Sequence, residues 1–202
     1  PMRDEGQDQL ILRRTGEGEA AVDMCSLAGS GELVVSTAKL SRGFGDVEVM
    51  RAGTLSDGTA ALFVEGSYMN SHMITDVFAA AGGSIYNITA THGGISQTTR
   101  SVPVYSEDIN GDGITEVPSA RRLGSPEGDE FWAFDWKQVR PDGQLRAVMS
   151  TFHSYADGWY LDLGPLEGYE LFVERSVGLS GRRVTFSAVK DGDALRELFS
   201  VY

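Results

Sequence analysis

Between residues 108 and 116 the chain reads Asp108, Ile109, Asn110, Gly111, Asp112, Gly113, Ile114, Thr115, Glu116. Oxygen-bearing side chains fall at positions one, three, five and nine of this run. Calcium, a hard cation, takes roughly 6–8 oxygens, so alternate residues must turn inward around it. Gly113 stands at position six, where the chain turns sharply and a side chain would clash. Ile114, at position seven, would offer its backbone carbonyl. The expected chemistry is therefore calcium binding by Asp108, Asn110, Asp112, Ile114 and Glu116. The alternative is a metal-free Asp/Gly-rich turn, because Asn-Gly and Asp-Gly form turns unaided.

An EF-hand or dockerin loop would continue into a helix with an acid at position twelve. Here position twelve is Ser119, and Pro118 removes a backbone donor where the helix would run. Glu116 can replace the missing acid. Val104 and Tyr105 before the loop, and residues 114–117 after it, read as strand ends. The expectation is a strand-loop-strand site.

Catalytic patterns are sparse. The three histidines, His72, His92 and His153, form no H-x-x-x-H pair, and one cysteine excludes C-x-x-C. Gly178, Leu179, Ser180 and Gly181 come nearest to a nucleophile elbow and read better as a hairpin turn. Gly16 and Gly18 lack the helix and lysine of a phosphate loop. Glu127, Asp129, Glu130, Trp132, Asp135 and Trp136, with Tyr155, Trp159 and Tyr160, form an acidic-aromatic patch suited to sugar binding or glycoside hydrolysis. Strand alternation puts Trp132, Phe134 and Trp136 on one face and Phe131, Ala133 and Asp135 on the other, and a tryptophan pair of this kind reads as core. His153 and Asp157 could form an acid-base pair, though a core-edge histidine is the plainer reading. Cys25 lies among Glu17, Glu19 and Asp23, so it reads as a small buried hydrophobe rather than a reactive thiol.

The elements that would position these groups are short strands. Apolar residues make up 41% of the 202-residue chain, enough for a sizeable core, and 25 glycines punctuate runs of β-branched and aromatic residues. Strands are expected at residues 9–14, 20–27, 32–40, 46–51, 59–66, 73–80 and 84–91, with residues 41–45 as a break. Residues 97–105 lead into the loop. After a Pro-, Gly- and charge-rich boundary at residues 119–129, further strands fall at 131–139, 145–155, 159–163, 170–176 and 182–189. Residues 193–202 read as a helical turn at 194–198 followed by a strand. Residues 13–18 read as a degenerate copy of the loop, with Arg13 and Ala21 in the places of Asp108 and Glu116. The fold class is all-β and mainly antiparallel. A strand roughly every 10 residues fits propeller blades or a sandwich.

A net charge of −12 argues against nucleic acid and anionic membranes, which need a basic face. No apolar run reaches the roughly 18 residues of a membrane span.

Residues 108–118, D-I-N-G-D-G-I-T-E-V-P, resemble the calcium loop of FG-GAP/VCBS-type β-propeller repeats. Together with residues 149–161, M-S-T-F-H-S-Y-A-D-G-W-Y-L, they resemble the C-terminal part of VCBS-repeat lipoproteins of Gram-positive bacteria. The resemblance implies propeller-like blades over residues 1–120 and a smaller antiparallel β domain over residues 121–202. It further implies an extracytoplasmic piece of a secreted or lipid-anchored protein. Its function would be a non-enzymatic, calcium-stabilised binding or adhesion scaffold, meeting a protein or carbohydrate at the cell surface. The alternative is a carbohydrate-binding or carbohydrate-active module using the patch at 127–160.

Overall fold

The computed structural model describes residues 9–16, 18–69, 72–155, 157–178, 181–190 and 194–202. Its order is β1 (Gln9–Thr15), β2 (Glu19–Leu27), β3 (Leu33–Gly43), β4 (Val47–Thr54), β5 (Ala60–Tyr68), β6 (His72–Ala81) and β7 (Ser84–Asn87). It continues with β8 (Glu116–Leu123), β9 (Phe131–Val139), β10 (Leu145–Ser154), β11 (Trp159–Asp162), β12 (Glu170–Gly178), β13 (Gly181–Val189) and β14 (Arg196–Val201). Two single 3-10 turns, Phe44–Asp46 and Gly164–Leu166, complete it. The protein is all-β. Four sheets follow one another along the chain, β1-β2-β3, β4-β5-β6-β7, β8-β9-β10-β11 and β12-β13-β14, each with sequence neighbours side by side. Among the described residues no helix is long and apolar enough to cross a membrane.

Two compact units divide the chain. The first comprises Pro1–Ser119 with Trp136–Val148, and the second Ala120–Asp135 with Met149–Tyr202. Trp136–Val148 belongs with the first unit although it follows residue 120. β8 runs into residues expected as linker.

In the first unit, alternation sends Leu62, Val64 and Phe78 to one face of β4–β7, where they pack with Ala20, Val22, Met24 and Leu40. Ala61, Phe63, Val77 and Ala79 take the other face, against Leu55, Val117 and Val139. Both faces are thus buried, which is why β5 reads as an apolar run without polar alternation. In the second unit, Phe131, Ala133, Phe152, Val173 and Phe186 form the core. The Phe152 and Phe186 rings meet edge to face at 5.1 Å.

Buried charge ties loops to the first unit's sheets. Glu65 and Asp76, both 0% exposed, lie on β5 and β6. The Glu65 carboxylate accepts from the Thr75 hydroxyl at 2.7 Å, the Ser106 hydroxyl at 2.6 Å and Arg100 at 3.3 Å. Asp76 accepts from the Ser41 hydroxyl at 2.6 Å, Asn87 at 2.8 Å and Arg42 at 3.3 Å. Burial pushes the Arg42 and Arg100 guanidiniums below their ordinary value, and the paired carboxylates oppose that push.

Several expectations are corrected. β3 continues through Gly43, and the break falls at Phe44–Asp46, because Ser41 and Arg42 reach Asp76 from extended backbone. β7 ends at Asn87. Val104 and Tyr105, expected as a strand end, lie outside the strands. Thr89 and Thr98 hydroxyls instead accept from the Val77 and Thr75 N–H groups, satisfying the β6 edge with side chains. No helical turn occurs at 194–198, since Arg196–Val201 pairs with β13. Cys25 is half-buried rather than buried, opposite the exposed Val35. Arg13 to Thr15, expected to begin a degenerate copy of the loop, are the end of β1, with Thr15 opposite Glu19. There Arg13 pairs with Asp23, and Glu17 lies outside the described residues.

Candidate metal centre

The loop at 108–116 is closed at its base by backbone. The Glu107 N–H donates to the Glu116 carbonyl at 3.1 Å, and the Glu116 N–H returns to the Glu107 carbonyl at 2.9 Å. The Thr115 N–H donates to the Thr54 carbonyl at 3.0 Å, fastening the loop to the end of β4. Gly111 and Gly113 have φ of 75° and 84°, left-handed values that glycine adopts without a Cβ penalty.

Inside the loop, side chains gather backbone donors. Asp108 accepts from the Gly111 N–H at 2.8 Å, the Asp112 N–H at 3.0 Å and the Gly113 N–H at 2.9 Å. Asn110 Oδ1 accepts from the Asp112 N–H at 3.0 Å, and Asp112 Oδ1 from the Ile114 N–H at 2.9 Å. These bonds tie the Asp108, Asn110 and Asp112 side chains to the loop's own backbone.

Glu116 differs from the other acids. It opens β8 and is 0% exposed. Its Oε2 accepts from the Ile109 N–H at 3.1 Å, and its Oε1 from Gln138 Nε2 at 3.0 Å. The same Gln138 nitrogen donates to Asp112 Oδ2 at 2.9 Å. Burial pushes the Glu116 carboxyl above its ordinary value, and the charges of Asp112 and Asp108 push the same way. The bonds from Gln138 and Ile109 oppose this without reversing it. Among the described residues no basic side chain lies in ion-pair range of Asp108, Asp112 or Glu116.

Gln138 is the residue that the sequence reading missed. It sits on β9, far along the chain, and an amide in a strand gives no motif. Among the described residues, no group of three or more His, Cys, Asp and Glu side chains is drawn together as a metal-ready set. The donor types nonetheless suit a hard cation: three carboxylates, one side-chain amide oxygen and a backbone carbonyl. A half-turn of the Gln138 amide would add a further oxygen.

The residues of the aromatic-acidic patch differ in burial and partners. Trp136 is 0% exposed and Phe134 is 2% exposed, whereas Trp132 is half-buried. The opposite face is buried too, at Phe131 and Ala133, so alternation did not separate core from solvent here. Asp135 pairs with Arg121 at 3.5 Å and accepts from Ser150, and Glu130 lies 3.8 Å from Arg122. His153 shares a hydrogen bond with Thr151 at 2.9 Å and stacks against Tyr155 and Tyr160. Asp157 goes to Ser154 and Arg182. Gly178 pairs with Gly181, as a hairpin requires, while Leu179 and Ser180 lie outside the described residues. Compared with protein-family models, characterised proteins and solved structures, the chain gives no match.

Proposed function

We propose that this chain is a calcium-stabilised β scaffold of an extracytoplasmic protein, serving binding or adhesion rather than catalysis. The observation that carries the reading is Glu116. A fully buried carboxylate shares Gln138 with Asp112 and feels Asp108, with no basic side chain in ion-pair range among the described residues. Uncompensated buried negative charge is costly, and a divalent cation is the group that removes the cost. Asp108, Asn110, Asp112 and Glu116 would ligate by side chain and Ile114 by its carbonyl, with Gln138 as a further donor. Bound calcium would neutralise the acids and fasten the loop to β4, β8 and β9.

We also read the successive sheets as propeller-like blades. Each is an antiparallel meander of three or four strands, and β4–β7 is covered by apolar side chains on both faces. The burial of Trp136 favours the scaffold over a sugar site built on the Trp132 and Trp136 pair.

Limited proteolysis tests the role. In chelator, cleavage is expected within residues 108–113, the exposed part of the loop. Calcium should suppress this cut in the parent chain but not in Asp112→Ala. Equal cleavage with and without calcium would contradict a structural role for the ion.

A further inference from the structure

A groove of about 280 Å³ opens in the second unit, lined by Asp157, Trp159, Arg182, Val184, Val201 and Tyr202. It shares no residue with the calcium loop, and its argument is independent of that reading. Three features define its chemistry. The floor is apolar, with Val184 2% exposed and the half-buried Trp159 indole braced from behind by Phe152 at 5.8 Å. A second ring, Tyr202, stands 82% exposed and is steadied by the Arg183 guanidinium 5.5 Å from its centroid. The rim carries a donor and an acceptor side by side, since Arg182 Nη1 donates to Asp157 Oδ1 at 3.2 Å. Asp157 is fixed in turn by the Ser154 hydroxyl, which donates to Oδ2 at 2.6 Å.

We propose that this groove binds one ring of a neutral pyranose sugar. A pyranose has a face of C–H groups, which packs on an indole or phenol ring, and an equator of hydroxyls. Each hydroxyl both donates and accepts, so vicinal hydroxyls match an adjoining carboxylate and guanidinium. The lining carries one charge of each sign, Asp157 and Arg182, paired with one another, so neither stands alone to select a counter-ion. Pockets for drug-sized ligands span about 300–1,000 Å³, so this volume suits a single ring. The site differs from the acidic-aromatic patch expected from sequence. Only Trp159 is common to both, and Arg182 and Tyr202 come from later strands.

The test is a titration of the intact chain with the methyl glycosides of glucose, galactose, mannose and N-acetylglucosamine, followed by ¹H–¹⁵N correlation spectra. The Trp159 indole N–H is assigned with Trp159→Phe. At least one glycoside should move that signal saturably. Arg182→Ala and Asp157→Asn, both at exposed positions, should each weaken binding about tenfold or more, as expected for losing a charge-assisted hydrogen bond. Asp135→Asn should leave binding unchanged. The proposal is overturned if no glycoside gives a saturable shift, or if both rim variants bind like the parent. It is equally overturned if proline-rich peptides move the Trp159 signal and no glycoside does.

Discussion

Chelating calcium should lower the melting temperature of this protein by about 5–10 °C relative to a calcium-saturated sample. The size follows from mass action. A ligand held only by the folded state at 100 times its dissociation constant stabilises by about 2.7 kcal/mol. For chains of this length each kcal/mol moves the midpoint by about 2–4 °C. The direction follows from the loop itself. Without the ion, Asp108, Asp112 and the buried Glu116 keep their mutual repulsion, against two amide-type bonds from Gln138 and Ile109. Asp112→Ala removes the acid that shares Gln138 with Glu116, so its melting curve should be nearly the same in calcium and in chelator. A parent chain whose midpoint ignores calcium at every concentration would contradict the account. Magnesium separates a calcium site from general charge screening. It demands octahedral geometry and dehydrates reluctantly, so it should stabilise far less at equal concentration.

The second large effect is expected at Glu65. Its carboxylate holds Thr75, Ser106 and Arg100, and the Glu65 and Arg100 side chains are both 0% exposed. Glu65→Ala leaves the guanidinium buried without its counter-charge, and removing one partner of such a pair costs about 3–5 kcal/mol. That is a large part of the roughly 5–15 kcal/mol that ordinary domains possess. The loss is confined below that of a wholly orphaned charge, because Arg100 also donates to the Val104 and Thr98 carbonyls. Arg100→Met should be similarly damaging. Combined with Glu65→Ala it should cost less than the two separately, since the double variant buries no unpaired charge. Urea unfolding of the three variants measures this. A loss under about 1 kcal/mol for Glu65→Ala, or strict additivity, would show that the pair does not anchor the loop at 97–106.

Local signals in the sequence carried far. The hairpin at Arg140, Pro141, Asp142 and Gly143 is legible because Pro-Asp-Gly sets its own turn, and β9 runs over the residues expected from its pattern. The loop at 108–116 is legible for the same reason: its geometry is made by its own glycines and by Asx-type bonds two to five residues apart. What failed was non-local. Residues 97–105 have strand-like composition, yet Thr98, Arg100 and Ser106 act as side-chain partners for β5 and β6. Nothing in the segment announces that use. Glu65 and Asp76 are each the single acidic residue of a largely apolar strand, and the arginines hydrogen-bonded to them lie more than 30 positions away. Gln138 is hidden in the same manner, 22 positions from Glu116. At residues 131–136, period-two alternation was the wrong guide, because β9 is buried on both sides.

The central claim is that the loop at 108–116 takes up calcium as part of the fold. Isothermal titration of chelator-treated protein with calcium tests it most directly. The account predicts one saturable site per chain in the parent. It predicts no such site in Asp112→Ala and a weakened one in Gln138→Ala, which keeps the loop acids but loses the β9 contact. A parent chain that takes up no calcium while fully folded, or an Asp112→Ala chain that titrates like the parent, would contradict it.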